Sequence, residues 1–236
     1  MDRIPIFIIT RDRTSVLQES LASYETNIGT PFEIVIHDNG STYGPMLELL
    51  ESMEAKGTKV YRSKENSLNA AAESVEDWYK TNDAPYYVVT DPDVALDDTE
   101  PDILEYFAYL LEHSDGQVVG PMLRIDDIPD YYPLKKRAED GHYKQFWHQV
   151  PQCFSWRDRL FHILPAMIDT TFGMYRKGFR FRRQNQGIRT YAPYIARHLD
   201  WYIDPNNLTD DQAYYMQNAS YISHWGGTWM KKYVPK

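Results

Sequence analysis

A single cysteine in 236 residues is the first scarcity. Cys153 has no partner within its own chain, which excludes a disulfide-built scaffold and any cysteine-rich zinc or iron–sulfur site. A reducing, cytoplasmic setting is therefore the expectation. Runs of 18 apolar residues are missing, so no segment is expected to span a membrane. Met1-Asp2-Arg3-Ile4-Pro5 opens without the apolar core of a secretory signal. Basic charge is in deficit. Lys and Arg number 25 against 34 Asp and Glu, and the net of −9 is the wrong sign for a nucleic-acid-binding surface. Internal repeats and low-complexity linkers are absent as well. What is present is the balance of a folded soluble protein, 42% apolar and 25% charged, in a chain long enough to bury a core. Aromatics are plentiful: 19 Tyr and 6 Trp supply apolar faces with polar tips, which suit flat polar ligands such as sugars and bases.

The first half alternates strands and helices. Ile4 to Thr10 is a short continuous apolar run that reads as a buried strand. Ser15 and Gln18 have capping-box spacing, and Leu17, Leu21, Tyr24 and Ile28 follow at helical intervals. Pro31 ends that helix, and a second strand covers Phe32 to His37. Pro45 opens a helix carrying Leu49, Leu50 and Met53; Gly57 closes it before a third strand, Thr58 to Tyr61. An Ala-rich helix over Leu68 to Tyr79 leads to a fourth strand, Tyr86 to Thr90. A helix starting near Pro101 presents Ile103, Leu104, Phe107, Leu110 and Leu111, and a fifth strand lies at Gln117 to Val119. This repetition predicts an α/β fold with a mostly parallel, Rossmann-like sheet flanked by helices. Ligands of such sheets gather at the carboxyl ends of the strands. Thr10-Arg11, Asp38-Asn39 and Asp91-Pro92-Asp93 should therefore meet in one crevice.

The second half reads differently. Residues 121–165 are rich in Pro, Tyr, Trp, His and charge with weak periodicity, and 166–204 read as short strands joined by turns. Thr209 and Gln212 again have capping-box spacing, before a short helix ending near Asn218. The expected organisation is one domain over 1–236, with a nucleotide-binding half at 1–120 and a smaller acceptor-side region at 121–236.

Asp91-Pro92-Asp93 is the most informative motif. It follows an apolar strand directly, and two hard carboxylates at i and i+2 suit Mg²⁺ or Mn²⁺ together with ligand phosphates. A turn or helix cap is the alternative, since Asp97, Asp98, Glu100 and Asp102 follow closely. Asp38 at the end of the second strand could accept hydrogen bonds from a ribose or base, or could form an Asx-turn that caps the next helix.

The succession PIFIITRDR, IVIHDNGST and YYVVTDPDVAL, spanning Pro5 to Leu96, resembles the nucleotide-sugar half of GT-A fold glycosyltransferases, most closely the family 2-like group. The resemblance implies a glycosyltransferase of hexosyltransferase type. It implies a nucleotide-diphosphate-sugar donor, a UDP-sugar first, a divalent Mn²⁺ or Mg²⁺, and an acceptor hydroxyl on a glycan or glycoconjugate. It carries nucleotide contact to Thr10, Arg11 and Arg13, base or ribose contact to Asp38, and ribose and metal contact to Asp91 and Asp93. Asn66 and Asn69 fall where the family places residues beside the nucleotide, or are polar positions on a helix surface, and His224 is a candidate third metal ligand or diphosphate contact of the type some GT-A enzymes return from the C-terminal region, or a loop histidine packed on Trp225. The sequence departs from the family where Asn39 replaces the second Asp of Asp-Asp-Gly-Ser. It departs again where Thr190 replaces the Trp of Q-x-x-R-W, so Gln186 to Arg189 does not mark a polysaccharide synthase.

The transfer also needs a base. Asp169 is the first choice, because an acid inside the run Met167 to Phe172 is costly without a role or partner. Asp200 and Asp211 are the reserves, Asp211 fitting a helix N-terminus better. Trp147, Trp156, Trp201 and Tyr202 could stack on an acceptor sugar or fill the core. Arg180, Arg182 and Arg183 make a small basic strand that could touch an anionic acceptor or a partner, or be a solvated edge strand, and Lys231 and Lys232 could reach phosphates but fit a solvated tail better. Two rivals stand beside the transferase: a sugar nucleotidyltransferase, disfavoured by the Gly-free loop Thr10 to Thr14, and a non-catalytic sugar-binding protein of the same fold.

Overall fold

The computed structural model describes residues 3–67, 70–97, 99–218 and 233. Its centre is one ten-stranded sheet in the order β3-β2-β1-β4-β9-β6-β10-β8-β7, with the two-residue β5 paired to β10. The strands are β1 Ile4–Thr10, β2 Phe32–Asp38, β3 Lys59–Arg62, β4 Tyr86–Thr90, β5 Val94–Ala95 and β6 Val118–Leu123. They continue as β7 Gln152–Trp156, β8 Arg159–Ile168, β9 Gly173–Arg176 and β10 Asn185–His198. β1 to β4 run parallel, as the β-α alternation predicts. β6 and β10 also pair in parallel, while β9 is wedged antiparallel between β4 and β6. β7 and β8 add an antiparallel hairpin at the far edge.

The helices are α1 Thr14–Asn27, α2 Gly44–Ala55, α3 Ala70–Trp78, α4 Ile103–His113, α5 Lys135–His142 and α6 Asp210–Asn218. They cover both faces of the sheet, and β1 shows why its sequence does not alternate. Ile4, Ile6 and Ile8 pack into one apolar cluster with α1 and α4, while Phe7 and Ile9 pack into a second with α3. A strand buried on both sides has no polar positions to spare. The stripe predicted for α4 is buried throughout, joined by Tyr106 and Ala108. No helix among the described residues is long and apolar enough to cross a membrane.

Three expectations are corrected. Ser15 does not cap α1: it lies inside the first turn, and its backbone N–H and hydroxyl both donate to Asp211 of α6, at 2.8 and 2.7 Å. The cap is thus supplied by a carboxylate distant in sequence. At α6 itself the predicted pairing holds, with Thr209 N–H donating to Gln212 Oε1 at 3.0 Å. Residues 166–204 hold one short strand, the four-residue β9, but the rest is not short strands, because the end of the ten-residue β8 and the whole of the fourteen-residue β10 lie there. Arg180, Arg182 and Arg183 lie in the connection between β9 and β10, not on an edge strand.

Close backbone approach lets β10 lie against β6. A β-carbon built on Gly187 collides with the Val118 carbonyl oxygen and stands 2.6 Å from Val118 Cγ1. Gly120 of β6 plays the same part toward Thr171, whose carbonyl oxygen lies 3.1 Å from the position of a β-carbon.

Candidate active site

The carboxyl ends of β1, β2 and β4 stand level, with Thr10 opposite Asp38 and Ile8 opposite Thr90. The residues just beyond them open into a cavity of about 340 Å³. Thr10, Arg11, Arg13, Asn39, Asn66, Asp91, Asp93 and Asp169 all line it, so the crevice expected from the parallel order exists. Asp38 does not line it. Its carboxylate is buried and accepts the Ser41 backbone N–H at 3.0 Å, the Asx-turn geometry, and its neighbour Asn39 reaches the cavity instead. Asn69 and His224, together with Lys231 and Lys232, lie outside the described residues.

Asn39 ties down the loop after β3. Its Nδ2 donates to Asn66 Oδ1 at 2.6 Å and to Ser67 O at 3.1 Å, and its Oδ1 accepts from Ser67 N at 2.9 Å. The loop after β1 is shaped by Asp12, which the sequence reading did not single out. Asp12 takes a left-handed φ of 54°, and its carboxylate accepts the backbone N–H groups of Thr42 at 2.6 Å and Tyr43 at 2.7 Å. Arg11 and Arg13 flank this buried anchor. Thr10 presents a buried hydroxyl with no hydrogen-bond partner among the described residues.

Asp91 and Asp93 occupy a turn between β4 and β5 rather than an extended segment, and their environments differ. The Asp91 side chain is 33% exposed, accepts from the Thr170 hydroxyl and lies 4.0 Å from Arg183. Desolvation by the cavity walls pushes its pKa up to about 6, with Arg183 opposing. The Asp93 side chain is 6% exposed and accepts from Arg13 Nη1 at 2.8 Å. Burial would raise its pKa, but His198 and Arg13 outweigh that and hold it below the usual carboxylate range. Arg13 also grips Asp200, so one guanidinium spans two buried carboxylates, and Tyr215 of α6 lies 4.8 Å from it. For Asp200 burial prevails over Arg13, and its pKa is raised. Arg13 is thus an internal ion partner as well as a cavity-lining residue.

His198, at the end of β10, was missed as well. It stacks on Trp201 at 4.9 Å and brings Nε2 to 3.8 Å from Asp93 Oδ2. Asp93, His198 and Asp200 offer ligand atoms that lie within 4.8 Å of one another. The set fits a divalent ion: two carboxylates and an imidazole are donors Mn²⁺ accepts, and Asp93 Oδ1 is buried without a hydrogen-bond partner among the described residues. Within this set, the imidazole beside the Asp91-Pro92-Asp93 turn is His198.

Asp169 follows β8 directly. Its side chain is 53% exposed at the cavity, and its neighbour Thr170 ties it to the turn after β4, since Asp91 N–H donates to Thr170 O at 2.8 Å. Against the desolvation of its surroundings, Arg189 and Thr171 hold its pKa below the ordinary value. Of the aromatics, Trp156 and Trp201 are buried, and Trp201 forms part of the cavity wall beside His142. Asp211 belongs to the first turn of α6, as its sequence position suggests.

The model of the glycosyl transferase family 2 matches residues 6–182. Among solved structures, S. aureus TarS 1–349 shares 15% identity over 84% of this chain and 60% of its own length, with a TM-score of 0.47. TarS 1–349 in complex with UDP-GlcNAc shares 14% over 92% of this chain and 67% of its own, also at 0.47. The mannosyltransferase PcManGT from Pyrobaculum calidifontis, in complex with GDP-Man and Mn²⁺, shares 19% over 53% and 36%, at 0.39. The chain therefore spans about three fifths of the first of these structures and about a third of the last. No curated protein matches. With a parallel sheet whose strand ends open on this acidic cavity, and a family match running from β1 through β9, the chain belongs to glycosyl transferase family 2 and has the GT-A fold of a glycosyltransferase.

Proposed function

We propose that this glycosyltransferase moves a sugar from a nucleotide-diphosphate-sugar, a UDP-sugar in the first instance, to an acceptor hydroxyl of a glycan or glycoconjugate, and that it does so with Mn²⁺ or Mg²⁺. The observation that carries the reading is the convergence of Asp91, Asp93 and Asp169 on one cavity with Arg11 and Asn39. In this reading residues 1–120 hold the donor and residues 121–236 shape the acceptor side. Thr10, Arg11, Asn39 and Asn66 form the nucleotide wall. Asp93 and His198, with Asp91 or Asp200 beside them, would hold the ion, which would supply positive charge to the leaving diphosphate. Asp169, kept ionised at neutral pH, takes the proton of the acceptor hydroxyl as that oxygen bonds to the anomeric carbon. Structures that carry UDP-GlcNAc or GDP-Man with Mn²⁺ are compatible with such a donor.

The test is a melting-temperature panel of UDP- and GDP-sugars with and without Mn²⁺. A ligand that binds only the native state raises the midpoint by mass action, about 2.7 kcal/mol at a hundredfold excess over Kd. A metal-dependent rise with one nucleotide-sugar, lost in Asp93→Ala, is the expected result. No rise with any nucleotide or nucleotide-sugar would overturn the reading and leave the non-catalytic sugar-binding protein in its place.

A further inference from the structure

Arg189 of β10 is buried, with 3% of its surface exposed, and all three nitrogens of its guanidinium donate hydrogen bonds. Nε donates to Met167 O at 3.0 Å, and Nη1 donates to Pro121 O at 2.9 Å and to Thr171 Oγ1 at 3.2 Å. Nη2 reaches Asp169 Oδ1 at 3.3 Å. Phe146, in the π-helical turn Tyr143–Trp147, lies 4.5 Å from the guanidinium. Thr171 then relays the contact: it accepts from Arg189 and donates its own hydroxyl proton to the same Asp169 Oδ1, at 2.7 Å. One planar fork therefore links β6, β8 and the segment after β8, and two donors converge on one oxygen of one carboxylate. Lysine has no such fork.

We infer that Arg189 is the positioning residue of the transfer reaction. With Thr171 it fixes Asp169 through Oδ1, so that Oδ2, outside both contacts, is the atom that receives the acceptor proton. This inference rests on Asp169 being the base. In the step itself the acceptor O–H proton passes to Oδ2 and the acceptor oxygen bonds to the anomeric carbon. The bond from that carbon to the diphosphate oxygen breaks, and the diphosphate leaves with its electron pair. Arg189 touches no reacting atom. It sets the angle and distance of the atom that does, and misplacement by about 1 Å can cost on the order of a hundredfold in rate. The surroundings of Asp169 also contain His198 at the end of β10, His142 at the end of α5 and Asp91 after β4, so its charge is held within a mixed field.

The experiment compares the wild type with Arg189→Met, which keeps volume and removes the fork. Three readouts are taken: the nucleotide-induced melting shift, the hydrolysis of UDP-GlcNAc, UDP-glucose and GDP-mannose with Mn²⁺ (water standing in for the acceptor), and the Asp169 carboxyl titration followed by ¹³C NMR. The expected result is an unchanged melting shift and donor KM, a kcat at least tenfold lower, and an Asp169 titration moved to higher pH. An unmoved Asp169 titration would overturn the inference. So would a kcat within twofold of wild type, or a loss of donor binding in step with kcat, the mark of a merely structural arginine. If Arg189→Met does not fold, Thr171→Val removes the second donor to Oδ1 and must show the same pattern at smaller size. Asp169→Asn separates the two claims. Hydrolysis that survives it removes the base assignment, while the carboxyl titration in the arginine variant still decides whether Arg189 holds Asp169.

Discussion

Arg13 Nη1 donates to Asp93 Oδ2 across 2.8 Å and 80 residues of sequence, joining the loop after β1 to the turn after β4. The same guanidinium reaches Asp200, so the charge balance of the cavity floor is carried by one side chain. Removing one partner of a buried pair leaves the remaining charges uncompensated, at a cost of about 3–5 kcal/mol. Arg13→Met is therefore expected to lower stability by that amount in urea unfolding at pH 7, with Arg13→Lys intermediate. A loss below about 1 kcal/mol would show that the two carboxylates are satisfied some other way.

His198 faces Asp93 from the end of β10. If it helps hold the divalent ion, His198→Ala weakens Mn²⁺ binding at least tenfold, as read by electron paramagnetic resonance of the free ion. Uridine binding in the absence of metal is expected to stay as in the wild type. Equal Mn²⁺ affinity in both proteins would remove His198 from the ligand set.

Gly187 gives β10 its contact with β6. Gly187→Ala forces a methyl group onto the Val118 carbonyl, and overpacking of this kind costs about 1–3 kcal/mol. Because Arg189 follows two residues later, the same variant is expected to lose transfer activity along with stability. Gly57→Ala on the surface, where a β-carbon meets nothing within 4 Å but φ is 97°, is the comparison that separates crowding from backbone strain.

His37 is 2% exposed, bonded through Nδ1 to Ser74 Oγ at 2.7 Å, and burial lowers its pKa to about 4. In the unfolded chain it titrates near 6.5. The folded value is the lower one, so the stability it contributes is complete above about pH 6.5 and drains away as pH falls toward 4. The slope is at most about 1.4 kcal/mol per pH unit from this residue. His37→Gln is expected to flatten urea-measured stability across that window, and an unchanged slope would count against a neutral buried imidazole.

The front half was legible because its physics is local. β1 and β4 are buried on both faces and show it as unbroken apolar runs, and α4 displays its stripe at helical intervals. The motif residues Arg11, Asp91 and Asp93 could be placed because a parallel sheet brings its strand ends together. The back half was not legible in the same way. β10 combines Gly187, Arg189 and His198 with an irregular register between Thr190 and Ile195, so no period marks its length. Asp38 and Asn39 are adjacent, and only the turn geometry decides which faces the cavity. The roles of Arg13, Arg189 and His198 come from partners far away in sequence, which no motif records.

The bond from Ser15 to Asp211 spans 196 residues and that from Arg13 to Asp200 spans 187. Such pairings set an order of events during synthesis. The ribosome delivers β1, β2 and β4 long before α6 exists, so the nascent front half must carry Arg13 and Asp93 without the acid that completes their trio, and α1 without its capping carboxylate. Sheet formation can begin early, because its contacts are already in hand. The loop after β1 acquires its last partners only when residues 198–211 have emerged, and the cavity is completed no earlier, because its lining is drawn from both halves of the chain.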